Sequence, residues 1–240
     1  MKRAIAGLVG LVGLVSVAQA APVTTEVLGR NKMQAGVEVS EGFGRDLNAT
    51  LKGWDLPGTG QGELSTYLAT FGYGVTDRLT VVAKLGSGNL SFDALEFGHS
   101  PAVGVEAVFD LWKHAKTGIE VLVGGQVLGL INPTATDELF KYDGSYLETQ
   151  ANVIVARNFE VKGYKVRPYV GFTYSALDAD TELQFADFGV SERFRVNVAN
   201  DHPIGVVLGA SAQVWKELSV GVQGRLVDEE AVTVRVSYRI

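Results

Sequence analysis

Residues 102–111 read AVGVEAVFDL, and their side chains alternate in character along the chain. The odd-numbered positions are all apolar: Val103, Val105, Ala107, Phe109 and Leu111. The even-numbered positions carry the charges of Glu106 and Asp110, together with Ala102, Gly104 and Val108. Because successive side chains of a β-strand point to opposite faces, this pattern predicts a strand with one apolar and one polar face.

The same alternation recurs about ten times between residue 34 and the C-terminus, and helical spacing is not sustained anywhere. Most of the predicted strands are longer than the ~5–6 residues of an average soluble strand. They match the ~9–11 residues that a tilted strand needs to cross a bilayer. The predicted strands cover about 34–44, 63–75, 79–88, 102–111, 117–128, 146–157, 165–176, 203–214, 218–227 and 231–240.

The connections between these strands alternate in length. Short connections lie at 75–79, 112–116, 158–164 and 215–217, and long loops are predicted at 45–62, 89–101, 129–145 and 177–202. This asymmetry is typical of outer-membrane barrels, which have short periplasmic turns and long outer loops. A soluble barrel with an apolar interior needs neither strands of this length nor loops on one side only.

The strand count depends on two further alternating segments, 181–188 and 192–198. They are short and rich in charge, so we predict a hairpin above the membrane and a barrel of ten strands. Twelve strands remain the alternative, and eight are less favoured. An open sheet edge in hydrocarbon would cost several kcal/mol per unpaired group, so the predicted fold is all-β, a closed antiparallel up-and-down transmembrane β-barrel.

The N-terminus has the pattern of a secretory signal. Lys2 and Arg3 precede an apolar run at 4–17, and the sequence Ala18-Gln19-Ala20 forms an A-x-A cleavage site. The run is shorter than the ~20 residues of a membrane-spanning helix. We therefore predict a cleaved signal peptide at 1–20, a short periplasmic segment at 21–33, and an outer-membrane barrel at 34–240.

Composition excludes several classes of protein. The chain has no cysteine, so it has neither a disulfide framework nor thiolate metal ligands. Its formal net charge is −6 and it has no basic patch, so we expect no nucleic-acid partner. It also lacks a phosphate-binding glycine loop and an H-E-x-x-H motif, so no cofactor and no metal are predicted.

The polar parity of the strands carries four acids and four bases. Buried charges are costly unless they are paired, and a selective pore usually presents a ring of one sign. Equal numbers therefore predict a largely plugged polar lumen, with a narrow porin for small solutes as the alternative. The predicted lumen charges are Glu38, Lys84, Glu106, Glu120, Glu148, Arg167, Arg225 and Arg235.

Aromatic residues gather towards the predicted strand ends. Amphipathic rings favour the headgroup level, where they form girdles at the two membrane interfaces. The predicted girdle contains Phe71, Tyr73, Phe109, Trp112, Tyr174, Trp215 and Tyr238.

Three stretches carry a resemblance to a known class: the A-x-A site at 18–20, the turn Tyr73-Gly-Val-Thr-Asp-Arg-Leu79, and the closing strand 231–240. Over nearly its whole mature length the chain resembles the small outer-membrane β-barrel proteins of Gram-negative bacteria, a porin-like or opacity-like class. The resemblance implies outer-membrane lipid as the surroundings and recognition of the closing strand by the barrel assembly machinery. The class includes adhesins, porins and enzymes, so it leaves the extracellular ligand unknown.

Within this class, some enzymes work at the barrel rim. Asp201 and His202 invite comparison with outer-membrane proteases, and His99, Ser100 and Glu106 with lipid A deacylases, but the surrounding motifs are missing. Adjacent strand residues also face opposite sides, which separates His99 from Ser100. We predict no catalytic residues and a structural or surface-interaction role, and an outer-membrane hydrolase is the weaker alternative.

Overall fold

Thirteen strands form one antiparallel sheet in the computed structural model, which describes residues 24–51, 54–92, 95–136, 140–185, 193–200, 203–227 and 229–240. The predicted signal peptide lies outside these residues. The described residues contain no helix long and apolar enough to cross a bilayer. The strands are β1 (Met33–Leu51), β2 (Trp54–Gly74), β3 (Leu79–Phe92), β4 (Leu95–Lys113), β5 (Ile119–Leu130), β6 (Thr134–Thr136), β7 (Phe140–Arg157), β8 (Phe159–Val161), β9 (Tyr164–Phe185), β10 (Arg193–Asn200), β11 (Ile204–Gln213), β12 (Leu218–Leu226) and β13 (Glu230–Arg239).

Ten of these strands close into a barrel. Each pairs antiparallel with its neighbours in the order β1, β2, β3, β4, β5, β7, β9, β11, β12, β13, and β13 pairs again with β1. Closure removes the unpaired sheet edge that hydrocarbon could not satisfy. The prediction of a closed, ten-stranded, up-and-down antiparallel barrel is confirmed.

The strands are strongly staggered around the barrel. Cross-strand partners can be followed from Glu38 in both directions around the barrel. In one direction the row of partners passes through β2, β3, β4, β5 and β7 and reaches β9 at Ala179. In the other direction it passes through β13, β12 and β11 and reaches β9 at Arg167. The two arrival points differ by twelve residues, which is the shear of the sheet. A ten-stranded barrel of this kind is narrow, so side chains fill much of its interior.

One end of the barrel, the short-turn end, carries the tight connections after β2, β4, β7 and β11. The first of these turns shows how the sequence ends a strand. Thr76 Oγ1 accepts hydrogen bonds from the backbone N–H groups of Arg78, at 3.1 Å, and Leu79, at 3.0 Å. A threonine hydroxyl bonded two and three residues ahead stabilises a turn locally. The predicted strand ends on this side agree with the structure to within about two residues.

The opposite end, called the hairpin end, differs from the prediction. The segments 45–62, 89–101, 129–145 and 177–202 were predicted as loops, but β1 continues to Leu51, β4 begins at Leu95 and β9 continues to Phe185. The ladder bonds join backbone groups, so pairing continues where the side chains have become polar. The prediction of long loops is therefore wrong for most of these residues.

β10 lies at the hairpin end and does not cross the bilayer. It pairs with β9 over Ala179–Gln184 and with β1 over Leu47–Leu51. It thus fills the sheet between β9 and β1, where β11, β12 and β13 have already ended. The count of ten spanning strands is confirmed, but the pairing of β10 with the first strand was not predicted.

The outer surface of the barrel is apolar. Val105 is 50% exposed and Phe172 is 67% exposed, and both face outwards, as do Val37, Leu85, Val103, Val153, Val155, Val170 and Leu208. Inside, Lys84, Glu106 and Arg225 are among the most deeply buried side chains. A soluble protein has its charged side chains outside and its apolar side chains inside, and here the arrangement is the opposite. The structure is therefore that of a transmembrane β-barrel, a fold of the outer membrane.

Candidate functional site: the barrel lumen

Four charged side chains meet in the middle of the lumen, and we call them the central quartet: Glu38, Lys84, Glu106 and Arg235. Lys84 Nζ lies 3.3 Å from Glu38 Oε1 and 3.0 Å from Glu106 Oε2. Arg235 Nη2 lies 2.5 Å from Glu38 Oε2 and 3.4 Å from Glu106 Oε2. Each cation contacts both anions, so the quartet has no net charge.

The register of the sheet explains this meeting. Glu38 and Arg235 are direct cross-strand partners on β1 and β13. Glu106 is the partner of Val82, so Lys84 lies diagonally from it on β3, within reach of a long side chain. Lys84 also donates to Gln126 Oε1 at 2.9 Å, and Gln126 donates to Gln150 Oε1 at 2.8 Å. Polar contacts therefore cross the lumen from β13 to β7.

A second group lies nearer the hairpin end and contains Arg45, Glu148, Arg225 and Glu229. Arg45 Nη2 lies 2.7 Å from Glu148 Oε1 and is also paired with Glu229. Arg225 Nη1 lies 3.6 Å from Glu148 and 3.5 Å from Glu229. This group, too, is balanced and buried.

Arg45 and Glu229 were not among the predicted lumen charges. The pairing of β1 with β13 shifts between Gly42 and Gly44, so the inward parity changes from even to odd numbers and Arg45 turns inwards. The two glycines were the available signal, because glycine within a strand often marks a bulge. Glu229 lies in the tight connection before β13, where alternation gives no guidance.

A third group lies at the short-turn end. Arg167 Nη2 is 2.5 Å from Glu120 Oε2, and Glu120 is also paired with Lys113, which is 57% exposed. Asn158 Nδ2 donates to Glu120 Oε1 at 3.3 Å. The structure thus places all eight predicted lumen charges inside the barrel, in these three groups.

The lumen is more apolar than predicted. Two clusters of buried hydrophobic side chains also occupy it. Inward positions of a narrow barrel must be filled, and apolar side chains fill them without needing partners. One cluster contains Leu64, Leu68, Ala102, Leu128, Leu130, Tyr146, Leu177 and Ala179, and the other contains Val108, Leu122, Ile154, Ala156, Tyr169 and Val207.

The chain before β1 enters the lumen from the short-turn end. We call residues 24–32 the N-terminal segment. The backbone N–H of Thr24 donates to Glu106 Oε1, its hydroxyl donates to Glu106 Oε2 at 2.8 Å, and Arg235 Nη1 donates to that hydroxyl at 2.5 Å. The backbone N–H of Leu28 donates to Thr80 Oγ1 at 2.9 Å. Of the segment predicted as periplasmic, residues 24–28 therefore lie in the lumen, whereas Arg30, Asn31 and Lys32 are exposed at the short-turn end.

Gly74 makes room for this segment. The backbone N–H of Asn31 donates to the Gly74 carbonyl at 2.8 Å, and the Gly74 N–H donates to the Lys32 carbonyl at 2.9 Å. A Cβ on Gly74 would lie 1.7 Å from the carbonyl oxygen of Gly29, which is far inside contact distance. A side chain at position 74 and the segment in its present place are incompatible.

We expect Gly74→Ala to displace the N-terminal segment and to cost about 1–3 kcal/mol of the free energy of unfolding, because the barrel wall cannot move away. Hydrogen exchange of the Thr24 and Leu28 amides, measured by mass spectrometry, should become faster. Gly221→Ala is the matched control, since its nearest neighbour atom would lie 3.6 Å away. Unchanged exchange in Gly74→Ala would show that the segment is not held as described.

Two small cavities border the central quartet. Beside Thr24, Gln223 and Arg235 lies a cavity of about 50 Å³, and beside Thr70 and Val82 one of about 10 Å³. A larger cavity, of about 440 Å³, lies at the short-turn end. Arg235 of the central quartet lines both small cavities, so little open space lies beside the quartet.

The predicted girdle residues all lie on the outer surface. Their exposed fractions run from 39% for Tyr73 and Phe109 to 69% for Trp215. Most of them flank the short-turn end, and Tyr174 lies at the hairpin end, beside Ile204. The other members are Phe71, Trp112 and Tyr238.

The residues considered for catalysis are not brought together. Ser100 is buried inside, whereas His99 is exposed outside with its ring 6.4 Å from that of Tyr67. Glu106 belongs to the central quartet, and Asp201 and His202 lie outside the described residues. Over the described part of the chain, no three His, Cys, Asp or Glu side chains are placed to hold a metal ion.

No family model matches the sequence, and no curated protein is significantly similar to it. Among solved structures, the outer membrane protein AlkL in lipid bilayers is 12% identical, with 92% of this chain and 96% of that chain covered and a TM-score of 0.42. OprG of Pseudomonas aeruginosa is 10% identical, with coverages of 90% and 99% and a TM-score of 0.44. The translocator domain of autotransporter NalP from Neisseria meningitidis is 12% identical, with coverages of 88% and 89% and a TM-score of 0.46. Similarities this distant assign no function.

Proposed function

We propose that the protein is a closed, non-conducting barrel with a structural, non-enzymatic role, which holds its hairpin end outside the cell for surface interactions. The observation that carries this proposal is the central quartet. Its four side chains, with Gln126 and Gln150, contact one another across the lumen, and Lys84, Glu38 and Glu106 are almost completely buried. The orientation follows the usual one, with the short-turn end in the periplasm.

Ion flow through this lumen would require the quartet to open. Each ion pair would have to exchange its buried partner for water or for the passing ion, and breaking a buried pair costs several kcal/mol. The lumen also offers an ion no ring of one charge sign, because acids and bases alternate within each group. Closure is therefore a property of the side chains, not only of the barrel diameter.

Single-channel recording tests this proposal. The protein, purified from outer membranes and inserted into a planar bilayer in concentrated KCl, should show no stable conductance steps. Its positive control is a variant with alanine at Glu38, Lys84, Glu106 and Arg235, which keeps the net charge and should conduct. Folding of both proteins is checked by their heat-dependent migration in gels. Stable steps from the unaltered protein would instead support a narrow porin.

The closing strand supports a second part of the proposal, namely recognition by the barrel assembly machinery. β13 alternates along its length, Tyr238 points outwards, and the backbone N–H of Ile240 donates to the Met33 carbonyl at 3.0 Å. Its pairing with β1 is the last to form if the strands assemble in chain order. Crosslinking from position 238 during export would detect the machinery.

A further inference from the structure

A cavity of about 440 Å³, which we call the vestibule, lies at the short-turn end of the barrel. Its walls come from β4, β5, β9, β11, β12 and β13, and Glu26 and Val27 of the N-terminal segment line its inner end. Leu122, from the buried apolar cluster, lies beside them. Its size falls within the ~300–1,000 Å³ that small-molecule sites occupy.

The charges of the vestibule are divided between two sides. Asp77, Asp110 and Glu120 lie on the arc from β2 to β5, whereas Lys165, Arg167 and Arg239 lie on the arc from β9 to β13. Glu26 and Lys113 complete a lining of four acids and four bases. The vestibule is thus neutral as a whole, with a negative side facing a positive one.

Several of these groups are already paired. Glu120 is paired with Arg167 and Lys113, and Glu26 is paired with Arg239. Asp77 Oδ1 accepts a hydrogen bond from the backbone N–H of Arg30 at 3.3 Å. Asp110 and Lys165 remain, one on each side, without an ion-pair partner among the residues that the structure describes.

Three of the residues that line the vestibule also carry a buried polar atom with unused hydrogen-bonding capacity. Asp110 Oδ1, Arg167 Nε and Arg239 Nε are buried, and none has a hydrogen-bond partner among the described residues. Buried polar atoms in folded proteins are nearly always satisfied, so these side chains would gain a hydrogen bond by turning towards a ligand in the vestibule. The acceptor is on the negative side, and the two donors are on the positive side.

We propose that the vestibule binds a small zwitterion, either a free amino acid or a short peptide with both termini charged. Its ammonium group lies at Asp110, and its carboxylate lies at Lys165 and Arg167. A ligand of this kind adds no net charge to a neutral pocket, whereas a simple anion or cation would leave one side without a partner. Guanidinium and ammonium groups are the side chains best suited to hold a carboxylate. This site lies on the periplasmic side of the quartet and does not depend on whether the lumen conducts.

Calorimetric titration of the purified protein in detergent tests the proposal, with trialanine as the probe. Trialanine should bind, and N-acetyl-trialanine and trialanine amide should each bind at least about tenfold more weakly, since each lacks one charge. Alanine, titrated in parallel, distinguishes the two sources: equal affinity indicates an amino-acid site, and weaker binding indicates a peptide site. No binding of trialanine at about 10 mM, or equal binding of the blocked peptides, would overturn the proposal.

Two variants assign the ends of the ligand. In Asp110→Asn, trialanine should no longer bind more tightly than N-acetyl-trialanine. It should still bind more tightly than trialanine amide. In Lys165→Met, trialanine should bind about tenfold more weakly, and its affinity should come closer to that of trialanine amide. The difference in affinity between trialanine and N-acetyl-trialanine should remain. Lys216→Met is the control, because Lys216 is an exposed residue of the same barrel end outside the vestibule. A loss of binding in the control equal to that in Lys165→Met would contradict the assignment.

Discussion

Replacing Lys84 by methionine is expected to cost about 3–5 kcal/mol of the free energy of unfolding. The change removes one cation of the central quartet and leaves the carboxylates of Glu38 and Glu106 to share Arg235. Because methionine has nearly the volume of lysine, the loss of unfolding free energy comes from the uncompensated carboxylate charge and not from a cavity. Urea unfolding of the protein in lipid vesicles, followed by tryptophan fluorescence, measures it.

Lys113→Met is the matched control for this experiment. Lys113 is also paired with a carboxylate, that of Glu120, but it is 57% exposed, so the same change should cost less than about 1 kcal/mol. A double variant, Lys84→Met with Glu38→Gln, restores the balance of charge in the quartet and should recover part of the loss. If Lys84→Met and Lys113→Met unfolded at the same urea concentration, the quartet would have to be hydrated and the lumen open.

Introducing arginine at Val105 is expected to cost about 2–4 kcal/mol, the penalty of a cation on the lipid side at the bilayer midplane. Val105 is 50% exposed on the outer surface of β4, between His99 near the hairpin end and Trp112 at the short-turn end. In water the same substitution at an exposed strand position would be nearly neutral. Folding into vesicles of defined thickness, followed by urea titration, gives the value.

Leu111→Arg provides the comparison on the same strand and the same face. Leu111 is 54% exposed and lies beside Trp112, at the level where arginine reaches the headgroups and costs only about 0–1 kcal/mol. A large difference between the two variants places Val105 deep in hydrocarbon. Equal losses at both positions would contradict the assignment of the outer surface to lipid.

The ten spanning strands could be predicted because each carries its own signal. Two-residue alternation is local, and the Thr76 turn stabilises itself within four residues, so neither depends on the rest of the chain. The same parity rule predicts Glu38, Lys84 and Arg235 on the inward face, and their side chains make contact in the lumen. It could not show that they meet, because contacts across the lumen depend on the stagger of the whole sheet.

The features that sequence reasoning missed depend on distant parts of the chain or on a break in the alternation. Arg45 faces inwards only because the pairing shifts at Gly42 and Gly44. The N-terminal segment has no alternation at all, and its place in the lumen depends on Thr80 and Glu106, which lie far along the chain. The extended hairpins continue through polar residues, where burial no longer distinguishes strand from loop.

The contacts of Thr24 have a consequence for the order of assembly. Its hydroxyl joins Glu106 to Arg235, and Arg235 lies 211 residues away, on the strand that the ribosome makes last. The N-terminal segment can complete these bonds only after the seam between β13 and β1 has brought Arg235 into place. The complete set of Thr24 contacts therefore requires a closed barrel, and an unfinished barrel would leave the N-terminal segment undocked and accessible to periplasmic proteases.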